Sequence, residues 1–215
     1  MSKERTEKDL LRIKKIFDEF NVPIILGKGV LLGVIRENQI LPWDSDIDLF
    51  ILASNPYENI VKAIDLMNKS GFEFWETYKI PKGKIIHWSF APTRGNTPAC
   101  VKMLYPSKDP KFLIETGIAL GKRKATITLL PVHLFNPPKE IIFLNQKFLV
   151  PNPPEEYLAK NYGNNWRMPI KNGGWKRGRK WKIRFANECE ESPWPTIIRE
   201  DAPARIEYLQ IHGGV

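Results

Sequence analysis

The segments Gly27-Lys28-Gly29, Arg36 and Pro42-Trp43-Asp44-Ser45-Asp46-Ile47-Asp48 gather glycines, cations and three carboxylates within a short stretch of the 215-residue chain. Asp46 and Asp48 stand two residues apart, and on a strand that spacing puts both on one face with Cα atoms roughly 6 to 7 Å apart. From there two carboxylates can reach one Mg2+ or Mn2+ ion, which binds carboxylate oxygens together with the oxygens of a bound phosphate. A glycine turn opening into a helix offers backbone N–H groups and the positive end of the helix dipole to that phosphate, and Lys28 and Arg36 add charge. The pattern predicts metal-assisted phosphoryl or nucleotidyl transfer. Each part also has an ordinary structural role. Carboxylates are common at strand mouths, a glycine pair marks turns, Arg36 suits a helix C-terminus, and Trp43 alone predicts packing rather than stacking on a base.

These side chains need elements to hold them. Thr6 with Asp9 resembles a capping box, and Leu10, Ile13, Ile16, Phe17 and Phe20 follow at helical spacing, predicting a helix over 6–20 that ends before Pro23. Ile24 to Leu26 reads as a short buried strand, Gly27-Lys28-Gly29 as a sharp turn and Val30 to Ile35 as helix. In Asp46 to Ile51 the apolar residues Ile47, Leu49 and Ile51 share one face, leaving Asp46 and Asp48 on the other. A second helix starts at Asn55-Pro56 and stops at Ser70-Gly71. Three strands are predicted, Phe72 to Trp75 with Thr77 to Ile80, Lys84 to Phe90 and Cys100 to Tyr105, then a hairpin over 139–150 and a Pro-led helix stopping at Gly163. The class is α+β. Beyond about residue 170 the periodicity is lost, which predicts an extension laid over the domain.

Composition narrows the partners. Of 33 Lys and Arg residues, seven fall between Lys171 and Arg184 with no carboxylate among them, so the rest of the chain, with 24 acidic residues, is close to neutral. That segment, with Trp175 and Trp181, has the make-up of an anion or nucleic-acid patch, of a solvated surface, or of one wall of a donor or acceptor site. Cys100 and Cys189 lie in no metal-ligand spacing and predict no disulfide framework. The charged N-terminus and the lack of a long apolar run predict no signal peptide and no transmembrane segment, with a cytoplasmic setting as the default. His87 and His133 read as structural histidines.

The runs Gly-Lys-Gly-Val-Leu-Leu-Gly-Val-Ile-Arg (27–36) and Ile-Leu-Pro-Trp-Asp-Ser-Asp-Ile-Asp-Leu (40–49) resemble the signature of the LicD family, whose relatives include the fukutins. The stretch from Phe148 to Trp166, a Pro-led helix ending in Tyr162-Gly163, followed by Pro169, is similar to that family's closing element. The resemblance covers about residues 10–170. It implies a nucleotidyltransferase-like mixed sheet flanked by helices over 1–170, with the basic, Trp-containing extension 171–215 packed on it. It also implies a Mg2+- or Mn2+-dependent transferase that moves a phospho-alcohol group, such as phosphocholine or ribitol phosphate, from a CDP-activated donor to a glycan or glycolipid hydroxyl and releases CMP.

Within the resemblance, Asp46 and Asp48 match the metal-binding pair, and Asp44 the first carboxylate, placed to orient the acceptor, act as base or support the pair. Gly29, Leu32, Gly33 and Arg36 match the glycine-turn element, so Lys28, Gly29 and Arg36 are expected on the donor phosphate. One departure stands out. Such folds usually supply a third carboxylate from a later strand, and Lys102 stands about where it is expected. Lys102 then either replaces a cation's charge at the donor phosphate or pairs with Asp46 and Asp48, which would silence the enzyme; Asp109 and Glu115 are the substitutes, neither in a clear strand pattern. Two other functions stay open: a nucleotidyltransferase that uses an NTP, and a catalytically silent nucleotide- or glycan-binding module.

Overall fold

The computed structural model describes residues 2–81, 83–91, 95–118, 125–169, 183–185, 192–193 and 197–202. The chain opens with α1 (Lys3–Glu19), whose buried stripe is Leu10, Ile13, Ile16 and Phe17, as the spacing predicts. Its start differs. Ser2 is the N-cap and accepts from the Arg5 N–H, whereas Thr6 and Asp9 point into the core. The predicted strand narrows to β1 (Ile25–Leu26), α2 (Lys28–Glu37) follows at once, and β2 is Ile47–Leu52. Next come α3 (Tyr57–Lys69) and β3 (Phe74–Lys79), a single strand bulged near the interruption that the sequence suggests. They are followed by β4 (Ile85–Phe90) and β5 (Ala99–Pro106).

A hairpin of β6 (Phe112–Ile118) and β7 (Ala125–Pro131) then appears where no strand is expected. The hairpin predicted over 139–150 is present as β8 (Lys139–Phe143) and β9 (Gln146–Val150), turning through Leu144 and Asn145, both at positive φ. The Pro-led helix is α4 (Pro154–Tyr162), and Gly163 ends it at φ 93°. Two short strands follow, β10 (Ile183–Phe185) and β11 (Ile198–Asp201).

The sheet runs β10-β7-β6-β5-β2-β1-β9-β8, and a second branch leaves β5 through β4 and β3 to β11. β2 and β5 are parallel, as are β1 and β9, and the remaining pairs are antiparallel. The class is therefore α+β, a mixed sheet flanked by helices. The fork lies on one edge of β5: Ala99 to Lys102 pair with β4, whereas Tyr105 and Pro106 pair with β6.

Residues paired across a sheet share a face. Leu49, Val101 and Trp88 form one buried apolar row, and the alternate rows are Asp48–Cys100–Ser89 and Phe50–Lys102–His87. Alternation thus separates an apolar face from one that carries the polar chemistry. The C-terminal extension enters the sheet at both branch ends, and at the β11 end Arg199 lies 2.9 Å from Glu76 and Lys79 lies 2.5 Å from Glu200. Residues 171–182, which carry most of the basic segment, lie outside the described residues. Among the described residues no helix is long and apolar enough to cross a membrane.

Candidate active site

β1 passes into α2 through the predicted sharp turn, now located at Lys28, the first helical residue, whose φ is 44°. That left-handed conformation costs a non-glycine residue about 1 kcal/mol. β2 returns alongside, with the Gly27 N–H donating to the Asp48 carbonyl at 3.0 Å. The start of α2 and the carboxylates are thereby brought to the same end of the sheet. The first N–H groups of a helix have no intrahelical carbonyl to bond, and α2 has no side-chain cap.

Two glycines let the chain fold back tightly over α2. A Cβ on Gly33 would fall 2.4 Å from the Gln39 carbonyl oxygen, and one on Gly29 would fall 2.1 Å from Asp44 Oδ2. The Asp44 N–H donates to the Leu41 carbonyl at 3.0 Å, which fixes the turn, and the carboxylate rests on the Gly29 backbone. Asp44 Oδ2 is buried and has no hydrogen-bond partner among the described residues. Burial, reinforced by the charges of Asp46 and Asp48, pushes the Asp44 carboxyl up to about 7. Burial and Asp48 push Asp46 up to about 6, against the pull of Lys102 and Lys28.

Lys102 completes the group. Its Nζ lies 3.2 Å from Asp48 Oδ1 and 3.3 Å from Glu115 Oε1, and the same Glu115 oxygen lies 2.5 Å from Lys28 Nζ. Lys102 and Glu115 are each only 5% exposed. Burial favours a neutral lysine, but Asp48 and Glu115 outweigh it and hold the ammonium well above the ordinary lysine range. Burial likewise favours a neutral Glu115, and Lys28 and Lys102 reverse it, holding that carboxyl below its ordinary value.

Of the site residues expected from the sequence, the structure brings together Lys28, Gly29, Asp44, Asp46, Asp48 and Lys102. Arg36 makes its contacts elsewhere. Its Nε and Nη2 donate to Glu37 Oε1 at 2.9 and 2.7 Å, and Nη1 donates to the Trp166 carbonyl at 3.2 Å, tying the end of α2 to the segment after α4. Trp43 is 64% exposed beside Asp44, so the packing expected of it is not found.

Glu115, a substitute carboxylate that the sequence offers without a clear strand pattern, sits mid-strand in β6. Phe112, Ile114, Thr116 and Ile118 alternate around it, a period-two run that could have revealed it. Asp109 instead caps the turn before β6, accepting from the Lys111 N–H. His87 is buried, stacked on Tyr78 with ring centroids 4.6 Å apart, and its Nε2 lies 3.2 Å from Ser89 Oγ. Burial, then the Lys102 and Lys28 charges, hold it well below the usual histidine range. His133 is a surface residue beside Glu156.

A mixed sheet with strand-borne carboxylates facing a helix N-terminus defines the class to which the comparisons point. The family model for the LicD/FKTN/FKRP nucleotidyltransferase domain matches residues 21–153, and the chain belongs to that family. Among curated relatives it is similar to Ribitol-5-phosphate transferase FKTN of Macaca fascicularis, 26% identical over 185 residues that cover 82% of this chain and 36% of the relative. The Homo sapiens protein of the same name is 27% identical over 181 residues, covering 80% of this chain and 36% of the relative. The chain therefore spans little more than a third of the length of the relatives it matches.

Proposed function

We propose that this chain is a metal-dependent transferase that moves a phospho-alcohol group, of the phosphocholine or ribitol phosphate kind, from a CDP-activated donor to a glycan or glycolipid hydroxyl in the cytoplasm. The observation that carries the reading is the convergence of Asp44, Asp46, Asp48 and Lys28 at the start of α2 in a LicD-family domain. Asp46 and Asp48 would hold one Mg2+ or Mn2+, which neutralises charge on the donor phosphates. The residues fit such an ion. Burial first, then the charges of Asp46 and Asp48 on Asp44 and of Asp48 on Asp46, drives both carboxyls toward protonation, and Asp44 Oδ2 is buried with no hydrogen-bond partner among the described residues.

In this reading Lys28 and the N–H groups at the start of α2 bind the donor phosphates. Asp44 orients the acceptor hydroxyl and takes its proton as the oxygen attacks phosphorus, and CMP leaves. The positive charge of residues 171–184 raises the local concentration of an anionic donor or glycan.

A panel of CDP-alcohols incubated with protein, Mg2+ and acceptor glycan tests the proposal. CMP is expected, and it disappears when Asp46→Ala and Asp48→Ala are combined. Pyrophosphate from an NTP would instead indicate a nucleotidyltransferase. The contact between Lys102 and Asp48 favours one further reading, a silent nucleotide- or glycan-binding module. That module would bind without metal, survive the double change and turn nothing over.

A further inference from the structure

We infer that Lys102 is a built-in cation standing in the place of a second metal ion, positioned by Glu115, so that the site takes one divalent ion and not two. The inference rests on the metal-dependent reading above and deepens it.

The geometry carries it first. Two-metal phosphoryl-transfer sites set their ions about 4 Å apart and clamp them with shared carboxylates. Here the space between Asp48 and the carboxylate offered by the next branch, Glu115, is filled by the Lys102 ammonium, 3.2 Å from one and 3.3 Å from the other. Lys102 is only 5% exposed, and clearing that space would break both of its ion pairs. Its position follows from the sheet. Lys102 is the last residue of β5 paired with β4 before β6 takes over that edge, so its side chain lies at the fork where Glu115 faces it.

The placement of charge points the same way. Asp44, Asp46, Asp48 and Glu115 bring four carboxylates, and Lys28 and Lys102 bring two ammonium groups. Lys102 thereby supplies positive charge at the point between Asp48 and Glu115 where a second ion would otherwise bring it. In a buried site that charge weighs heavily, because charges several ångströms apart interact far more strongly than in water. Glu115 is a positioning residue. Its Oε1 bonds both Lys28 and Lys102, so one carboxylate sets the cation aimed at the donor phosphates and the cation that occupies the fork.

The test counts Mn2+ bound to the full chain in the presence of CDP, by calorimetry and by the Mn2+ paramagnetic resonance spectrum. One ion per chain, with the six-line signal of an isolated Mn2+, is expected. Two ions with a spin-coupled signal would overturn the inference while leaving the transferase reading intact. No bound ion would overturn both.

Variants separate a cation's role from simple scaffolding. Lys102→Met removes a positive charge and is expected to tighten Mn2+ binding at least tenfold or to admit a second ion. Glu115→Gln removes a negative charge and is expected to weaken binding at least tenfold. Weakened binding in both would mean that the pair only supports the fold and would sink the inference. Should Lys102→Met fail to fold, the wild-type ion count and the Glu115→Gln shift decide the matter alone.

Discussion

Gly29 has no side chain, and the Asp44 carboxylate occupies the volume where one would be. Alanine at this position suits the helix as well as glycine or better, by up to about 1 kcal/mol. Its Cβ, however, would sit 2.1 Å from Asp44 Oδ2, so the carboxylate must move by an ångström or more. Gly29→Ala is therefore expected to leave the melting temperature unchanged or slightly raised while lowering turnover about a hundredfold, the usual penalty for misplacing a catalytic group by that distance. Parallel thermal melts and CMP-release assays check this. A fall in both together would mean that the glycine serves the fold and not the chemistry.

Among the elements, α1 is fastened to the approach of β5 through one buried carboxylate. Asp9 is fully buried and accepts from Arg5 Nε at 3.2 Å, Arg12 Nη1 at 3.0 Å and the Thr97 N–H at 2.8 Å. Thr97 stands just before Ala99, where the strand that carries Lys102 begins. Asp9→Asn turns an amide toward donors and removes the compensating charge, which is expected to cost about 3 kcal/mol. The shift in urea midpoint at constant slope measures it.

That network also explains a misreading. Thr6 and Asp9 have capping-box spacing, but tertiary contacts claim both, and Ser2 takes the cap. Elements whose local signal agreed with their tertiary role were legible: the alternation in β2, the β8–β9 turn, and α4 between its prolines and Gly163. β5 itself was legible because polar and turn-forming residues bound it on both sides, whereas what Lys102 faces depends on the strands beside it. Glu115 was named only as a substitute because Leu113 shares its side of the strand and blurs the alternation of Phe112, Ile114, Thr116 and Ile118.

For the molecule as a whole, the sheet divides at β5 into one branch of β6, β7 and β10 and another of β4, β3 and β11. Residues 171–215 supply the outer strand of both. Ending the chain after Pro169 is expected to bare the edges of β7 and β3, and such unpaired edges invite intermolecular pairing. A chain truncated there should show lower soluble yield and concentration-dependent association in analytical ultracentrifugation, where the full chain does not. The basic segment complicates the comparison usefully. Nine Lys and Arg leave with six Asp and Glu, a net loss of three positive charges, so repeating the measurement in high salt separates lost repulsion from exposed edges.

The same arrangement has a mechanical consequence. Because β10 and β11 belong to one stretch of chain, the two branches that diverge beside Lys102 are joined again covalently at their far ends. Hydrogen bonds and backbone together make a closed circuit around the fork. Parting the branches around the gap that holds Lys102 between Asp48 and Glu115 would pull on both outer strands once the joining chain is drawn out. A protease-recognition sequence inserted within residues 186–196 would leave every described strand pair in place yet break that circuit once cut. Slippage at the fork would then appear as faster amide hydrogen exchange in β4 and β6, with β1 and β2 unchanged.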